Sequence, residues 1–379
     1  MRLSFRTVTT EKTAVFIGSG ALAETDRLIR SLRPSGIFIL ADRNTERYCL
    51  PILLAACPAL AGARLLQVLP GGEQAKTLDQ AGRLWEELMT AGAERNSLLI
   101  NLGGGVTSDL GGFAAAGFKR GIRYINVPTS LIGMADAALG GKTAVNAGKL
   151  KNQAGFFYCP VAVLIYPPFL ETLPREHLRS GLAEIIKSSL VGDAGLYHYI
   201  LKNSIDCWLA LSVAGKEWEY LLKQTVRIKT RLASQDYREH GIRKALNFGH
   251  TIGHGVEALS LRTDEIPCLH GEAVAAGMIG ATRLSAIKAG LGEQSADEIE
   301  RYLLTGFPFR PIREATLPDL WEALLQDKKV SGGAVRFTLL RAPGRPHLNM
   351  SCSREEVFGA IRYFNDRVRE AAANPDFRS

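Results

Sequence analysis

Up to about residue 165 the chain alternates short apolar runs with segments of helical period, and this alternation is what most limits the folds open to it. Runs at 13–17, 36–40, 64–69, 98–102, 124–127 and 161–165 read as strands. Between them lie segments such as 78–89, where Leu78, Ala81, Leu84, Trp85 and Leu88 recur at helical spacing. Strand–helix alternation argues a mostly parallel sheet covered on both faces, an α/β fold. Beyond Pro167 and Pro168 strand patterning largely stops, and helical periodicity dominates from 175 to 288. The 379 residues exceed the roughly 250–300 at which single cores stop growing, so two domains are expected, divided within 167–174. The tail from 370 is polar and expected to fray.

A formal net charge of +8 admits nucleic acid, a membrane surface, an anionic small substrate or simply a solubilising surface. No long basic run or RNA-binding motif is present, which argues against nucleic acid. No apolar run reaches the ~18–20 residues of a membrane span, and residues 1–10 lack the apolar core of a secretory signal. The cysteines, Cys49, Cys57, Cys159, Cys207, Cys268 and Cys352, form no C-x-x-C pair. They therefore signal no thiolate zinc site and read as reduced thiols of a cytoplasmic protein.

Three strand ends suggest nucleotide chemistry. The run at 36–40 leads into Ala41-Asp42-Arg43-Asn44, and an acid just beyond a strand can take ribose hydroxyls. The run at 98–102 enters Gly103-Gly104-Gly105, then Val106-Thr107-Ser108-Asp109 and a helix, a setting in which backbone amides approach a pyrophosphate. The turn Pro70-Gly71-Gly72-Glu73-Gln74-Ala75-Lys76 is the third. The usual G-x-G-x-x-G fingerprint is absent.

The sharpest chemical signal is Asn247-Phe248-Gly249-His250-Thr251-Ile252-Gly253-His254, followed by Leu269-His270-Gly271-Glu272. His250 and His254, at i and i+4 of a helix, can converge on one metal ion. Arg243 and Asn247 are read as further turns of the same helical face. A second cluster, Ser180 to Lys187, sets Glu184 and Lys187 at i and i+3 on an otherwise apolar helix, at a site expected to be semi-buried. A carboxylate there would complete a histidine–carboxylate set with an open position, as in catalytic zinc sites. Cationic and polar residues form a third group: Arg120, Asp136, Lys142, Lys151, Asn152, Lys229, Arg243 and Asp327-Lys328-Lys329.

These strings resemble the 3-dehydroquinate synthases of the sugar-phosphate cyclase superfamily. The resemblance rests on GGGVTSD, Arg120-Gly121, VPTSL, GGKTAVN, Leu150-Lys151-Asn152, GLAEIIK, GIRKALNFGHTIGH, LHGEAVAAGM and Asp327-Lys328-Lys329, in order from about residue 12 to about 340. It implies a Rossmann-like NAD-binding domain over 1–170, a mainly α-helical metal- and substrate-binding domain over 171–379, an active site between them and a homodimer. It implies NAD and zinc or cobalt as cofactors. The implied reaction converts 3-deoxy-D-arabino-heptulosonate 7-phosphate to 3-dehydroquinate and phosphate, in the shikimate pathway.

By motif position the metal ligands become Glu184, His250 and His270, and His254 moves from ligand to neighbour, toward the phosphate. The implied substrate residues are Arg120, Asp136, Lys142, Asn152, Lys187, Lys229, Arg243, Asn247, His254 and Lys328. The implied NAD residues are Asp42, Asn44, Glu73, Lys76, Gly104, Gly105, Asp109, Thr129, Ser130, Lys142, Lys151, Phe169 and Thr172. Departures from the family pattern fall at Ser108, where glycine is common, at Ser180, where a larger polar residue near NAD is usual, at Ala135-Asp136-Ala137-Ala138 and at Tyr237. A cyclase acting on a neutral sugar phosphate, a metal-dependent alcohol dehydrogenase and a non-catalytic anion-binding protein are the competing readings.

Overall fold

The computed structural model describes residues 2–4, 13–66, 69–148, 150–327 and 335–374. The chain forms two compact units, Met1–Pro174 with Ser212–Arg238, and Arg175–Leu211 with Glu239–Ser379. Where the sequence suggested one cut, the units interleave.

The first unit holds strands β1 (Arg2–Ser4), β2 (Ala14–Ile17), β3 (Ile37–Ala41), β4 (Arg64–Leu65), β5 (Leu98–Gly103), β6 (Arg123–Pro128), β7 (Lys142–Ala147), β8 (Leu150–Phe157) and β9 (Ala162–Ile165). Its first helices are α1 (Ala21–Leu32), α2 (Arg43–Tyr48), α3 (Leu50–Ala56), α4 (Leu78–Thr90) and α5 (Gly105–Gly117). Among the described residues the main sheet has seven strands in the order β1-β2-β9-β6-β5-β3-β4. Every pairing in it is parallel except β1 with β2. Strand β5, LLINLG, is buried along its whole length, as a parallel strand covered on both faces must be. Alternation sends Phe38, Leu40 and Leu99 to one face, where they pack with Leu84 and Leu88 of α4 and Leu110 and Phe113 of α5.

The run expected at 64–69 pairs as a strand only at Arg64–Leu65, with Leu69 bridged to Asp42, and 67–68 lie outside the described residues. The antiparallel hairpin β7–β8 was not legible, because GGKTAVNAGKLKNQAGFF shows no alternation of apolar and polar residues.

The second unit opens with α6 (Arg175–Gly192), α7 (Ala194–Ile200) and α8 (Ile205–Ala210). Helix α9 (Lys216–Gln235) then returns to the first unit. Its buried stripe of Trp218, Leu221, Leu222 and Val226 packs there, in contact with β2 and with the π-helical turn Gly133–Ala137. Helical periodicity announces such a stripe but not which unit it will join. The second unit resumes with α10 (His250–Thr263), α11 (His270–Lys288), α12 (Glu293–Gly306) and α13 (Leu317–Asp327). It ends with the hairpin β10 (Val335–Ala342) and β11 (Arg345–Cys352), and α14 (Arg354–Ala373). No helix among the described residues is long and apolar enough to cross a membrane.

Candidate functional site

In the second unit, close backbone contact draws three helices together. A Cβ on Gly277 of α11 would stand 2.0 Å from the carbonyl oxygen of Gly249 and 2.6 Å from the amide nitrogen of Gly253. A Cβ on Gly271 would stand 1.9 Å from the carbonyl oxygen of Ser180 in α6. Only glycine lets α11 approach both neighbours this closely. The hydroxyl of Ser180, fully buried, accepts the Gly271 amide at 2.9 Å. The substitution noted at Ser180 thus fastens α11 to α6. Glu272 closes the first turn of α11 by accepting the Leu269 amide at 2.9 Å.

That packing gathers Glu184 from α6, His250 from the first turn of α10 and His270 from the first turn of α11, with ligand atoms within 4.8 Å of one another. Oε1 of Glu184 lies 3.5 Å from Nε2 of both His250 and His270. Glu184 and Lys187 are both 1% exposed, deeper than the semi-buried position expected of them, and Nζ of Lys187 donates to the other oxygen, Oε2. Oε1 is buried without a hydrogen-bond partner. A buried carboxylate oxygen left open between two imidazole nitrogens fits a divalent cation, which would complete all three. The far side of each ring is already engaged: Nδ1 of His250 faces the Phe248 carbonyl at 3.3 Å, and Nδ1 of His270 faces Oε2 of Glu257 at 3.2 Å.

For His250 and Glu184 the electrostatics match that arrangement. Burial, reinforced by the Lys187 cation, pushes His250 well below the usual imidazole range, so the ring is neutral. Burial pushes the Glu184 carboxyl up, but Lys187, His250 and His270 outweigh it and hold the group well below the usual carboxylate range. Burial likewise pulls His270 down, yet Glu184 and Glu257 raise it to about 10 in the metal-free protein.

His254 is the next turn of α10, its ring 5.3 Å from that of His250 and 5.9 Å from that of His270. Arg243 and Asn247 do not continue the α10 face as the sequence suggested. They belong to a 3-10 turn, Ile242–Asn247, and the chain breaks at Gly249, whose φ of +74° starts α10 afresh. The break is needed because Val274 and Met278 of α11 press on Gly249. Arg243 is buried, and Asn247 donates to Oε1 of Glu239 at 2.6 Å.

In the first unit, the expected nucleotide residues collect at the carboxyl edge of the parallel strands, where ligands of such sheets bind. Asp42 follows β3 and caps α2, its Oδ1 accepting the amides of Asn44 at 2.9 Å and Thr45 at 3.0 Å. Gly104 caps α5 and Gly105 opens it, so first-turn amides face outward from the end of β5, as a pyrophosphate requires. Thr129, just past β6, donates its amide to the Gly103 carbonyl at 3.0 Å, and the Ser130 hydroxyl accepts the Gly133 amide at 3.2 Å. Ser108 lies in the first turn of α5, its buried hydroxyl without a hydrogen-bond partner.

Lys76 joins Asp109 of α5 and Asn152 of β8, each at 2.5 Å. Burial pushes the Asp109 carboxyl up against the pull of Lys76. Asn146, which the sequence reading left unassigned, ties the same cluster together. It donates to Glu73 at 2.9 Å, accepts the Asn152 amide at 3.0 Å and gives its own amide to the Lys76 carbonyl at 2.9 Å.

Asp136 sits on the π-helical turn and accepts from Lys229 of α9, so two expected substrate residues meet. Lys142 is exposed and Lys151 half-buried on the hairpin, Phe169 is buried, and Thr172 is exposed. Arg120 stands apart. It precedes β6, at the amino edge of the sheet, within a run of left-handed residues: Lys119 (φ +49°), Arg120 (φ +67°) and Gly121 (φ +111°). Lys328 lies outside the described residues.

A parallel α/β sheet with a glycine turn at a helix start, and a histidine–carboxylate centre built on helices, define a nucleotide-type α/β protein with a metal-type centre. The chain belongs to the 3-dehydroquinate synthase family: the models of that family's N-terminal and C-terminal domains match residues 66–180 and 181–330. It is 39% identical over 344 residues to a 3-dehydroquinate synthase of Parabacteroides distasonis, covering 91% of this chain and 95% of that one. It is 35% identical over 358 residues to one of Bacillus cytotoxicus, covering 94% of each. Among solved structures it is similar to the 2-epi-5-epi-valiolone synthase of Streptomyces hygroscopicus subsp. jinggangensis with NAD+ and Zn2+ bound. That match has a TM-score of 0.79 and 28% identity, over 97% of this chain and 100% of that one. A 2-deoxy-scyllo-inosose synthase complexed with carbaglucose-6-phosphate, NAD+ and Co2+ shares the fold, with a TM-score of 0.83 and 24% identity over 96% of this chain and 100% of that one.

Proposed function

We propose that the chain converts 3-deoxy-D-arabino-heptulosonate 7-phosphate to 3-dehydroquinate and phosphate, a carbon–oxygen lyase reaction, as a cytoplasmic homodimer using NAD and a zinc or cobalt ion. The observation that carries the reading is the open Oε1 of Glu184 between the Nε2 atoms of His250 and His270, in a member of this family. Glu184, His250 and His270 would hold the ion. Asp42, the first turn of α5, Thr129, Ser130 and the cluster of Glu73, Lys76 and Asp109 would hold the dinucleotide, with Asn44, Lys142, Lys151, Phe169 and Thr172 around it. When bound, NAD supplies a hydride acceptor restored within each turnover, and the ion supplies Lewis-acid polarisation of the substrate oxygen it contacts.

The chain's own residues then bind and orient. The planar guanidinium of Arg243 suits a carboxylate, whereas Lys187 and Lys229 act as point charges, with His254, toward the phosphate. Asp136, Lys142, Asn152, Asn247 and Lys328 fix the ring hydroxyls, and such positioning is itself a large rate effect. The proposed test measures phosphate release from the heptulosonate phosphate with and without NAD and zinc, after stripping with a chelator. The reading requires loss on stripping, recovery with zinc or cobalt, and no net consumption of NAD. Stoichiometric NADH production from a simple polyol would instead mark an alcohol dehydrogenase, and turnover of a neutral sugar phosphate alone would mark another cyclase.

A further inference from the structure

Glu257 plays no part in the ligand set, yet it is buried, at 6% exposure, beside that set. It follows His250 by seven residues and His254 by three on α10, so the three share one stripe of the helix. Its Oε2 lies 3.2 Å from Nδ1 of His270, while Nε2 of the same ring faces Oε1 of Glu184 at 3.5 Å. One imidazole is thus divided between two carboxylates, each taking one nitrogen. Both carboxylates only accept, so it is a cation between Nε2 and Glu184 that would leave the one proton of a neutral His270 on Nδ1, toward Glu257. His250 is arranged the same way, with the Phe248 carbonyl in the accepting place.

We infer that Glu257 is a positioning residue that, by accepting the Nδ1–H of His270, sets the tautomer and ring rotation that aim Nε2 at the cation. The inference rests on the metal reading proposed above. The alternative is that Glu257 is itself a ligand, since His254, Glu257 and His270 also bring ligand atoms within 4.8 Å of one another. The geometry favours positioning: the open oxygen of Glu184 faces two Nε2 atoms, whereas the near oxygen of Glu257 faces Nδ1.

The test is zinc affinity by chelator competition, with the visible absorption of the cobalt-loaded protein, on full-length wild type, Glu257→Ala and Glu257→Gln. Loss of such an outer partner weakens metal binding by roughly 10–100-fold, which is the result expected of Glu257→Ala. Glu257→Gln keeps an acceptor in place and is expected to lose about tenfold, the low end of that range. It also keeps the test decisive if the alanine variant fails to fold. In both variants the cobalt bands should hold their wild-type positions, because the ligands are unchanged. Unchanged affinity in both variants, or a cobalt spectrum altered as it is in His270→Ala, would overturn the inference. Wild-type protein that retains no zinc would instead sink the metal reading itself.

Discussion

At the scale of single residues, the Glu184–Lys187 pair shows what spacing can and cannot reveal. The i, i+3 relation and the apolar flanks were visible in GLAEIIK, but not that both side chains would be 1% exposed with one oxygen left open. Burial is set by α10 and α11, which come from elsewhere in the chain. Breaking a buried ion pair from one side costs about 3–5 kcal/mol, since the remaining charge is stranded. Lys187→Met should therefore destabilise the chelator-treated protein by about that much. It should destabilise the zinc-loaded protein by clearly less, because the cation on Glu184 replaces the lost charge. Urea unfolding in both states measures this, and equal losses would mean that no ion sits on Glu184. The histidines divide in the same way. An i, i+4 pair made His250 and His254 equivalent from sequence, whereas the structure sets Nε2 of the first 3.5 Å from Oε1 of Glu184. His254→Ala should retain zinc and lose phosphate release, while His250→Ala should lose both, read by metal content alongside activity.

At the scale of elements, the helices that carry the centre were legible and their embrace was not. Periodicity located α6, α10 and α11, and the glycines of GHTIGH and LHGEAVAAGM were present, but only the structure pairs Gly277 with Gly249 and Gly253. Gly277→Ala forces a methyl group into the α10 backbone. Overpacking of this kind costs about 1–3 kcal/mol and shifts backbone. The expected outcome is a lower unfolding midpoint together with weaker zinc binding, because His250 and His270 ride on the two helices being pushed apart. A lower midpoint with wild-type zinc affinity would show that the helices yield elsewhere. The strands divide differently. Those buried on both faces, such as β5, declared themselves as apolar runs, whereas the hairpins β7–β8 and β10–β11 did not. In β7–β8 Val145 and Ala154 pack on the core while Asn146 and Asn152 serve the cluster with Lys76, so polar residues interrupt the alternating pattern by which a strand is recognised.

At the scale of the whole molecule, Arg120 is the residue whose place says most about assembly. Six residues of β6 separate it from Thr129 and the glycine turn. At ~3.3 Å per residue that is about 20 Å, farther than an arginine side chain reaches. Yet Lys119 and Arg120 both hold left-handed backbone, a cost that persists where the surrounding structure requires it, and often where function does. If Arg120 serves the substrate in the proposed homodimer, it serves the site of the other copy. Two inactive variants should then repair each other. In dimers formed by co-expressing Arg120→Ala and Glu184→Gln, each mixed dimer holds one site with both residues intact. Half of randomly formed dimers are mixed, and each has one complete site of two, so about a quarter of wild-type activity should return. An arginine acting within its own copy would leave every site in the mixture defective, and phosphate release would stay at the level of the separate variants. Full activity of Arg120→Ala alone would remove the residue from the reaction altogether, and with it this argument for a second copy.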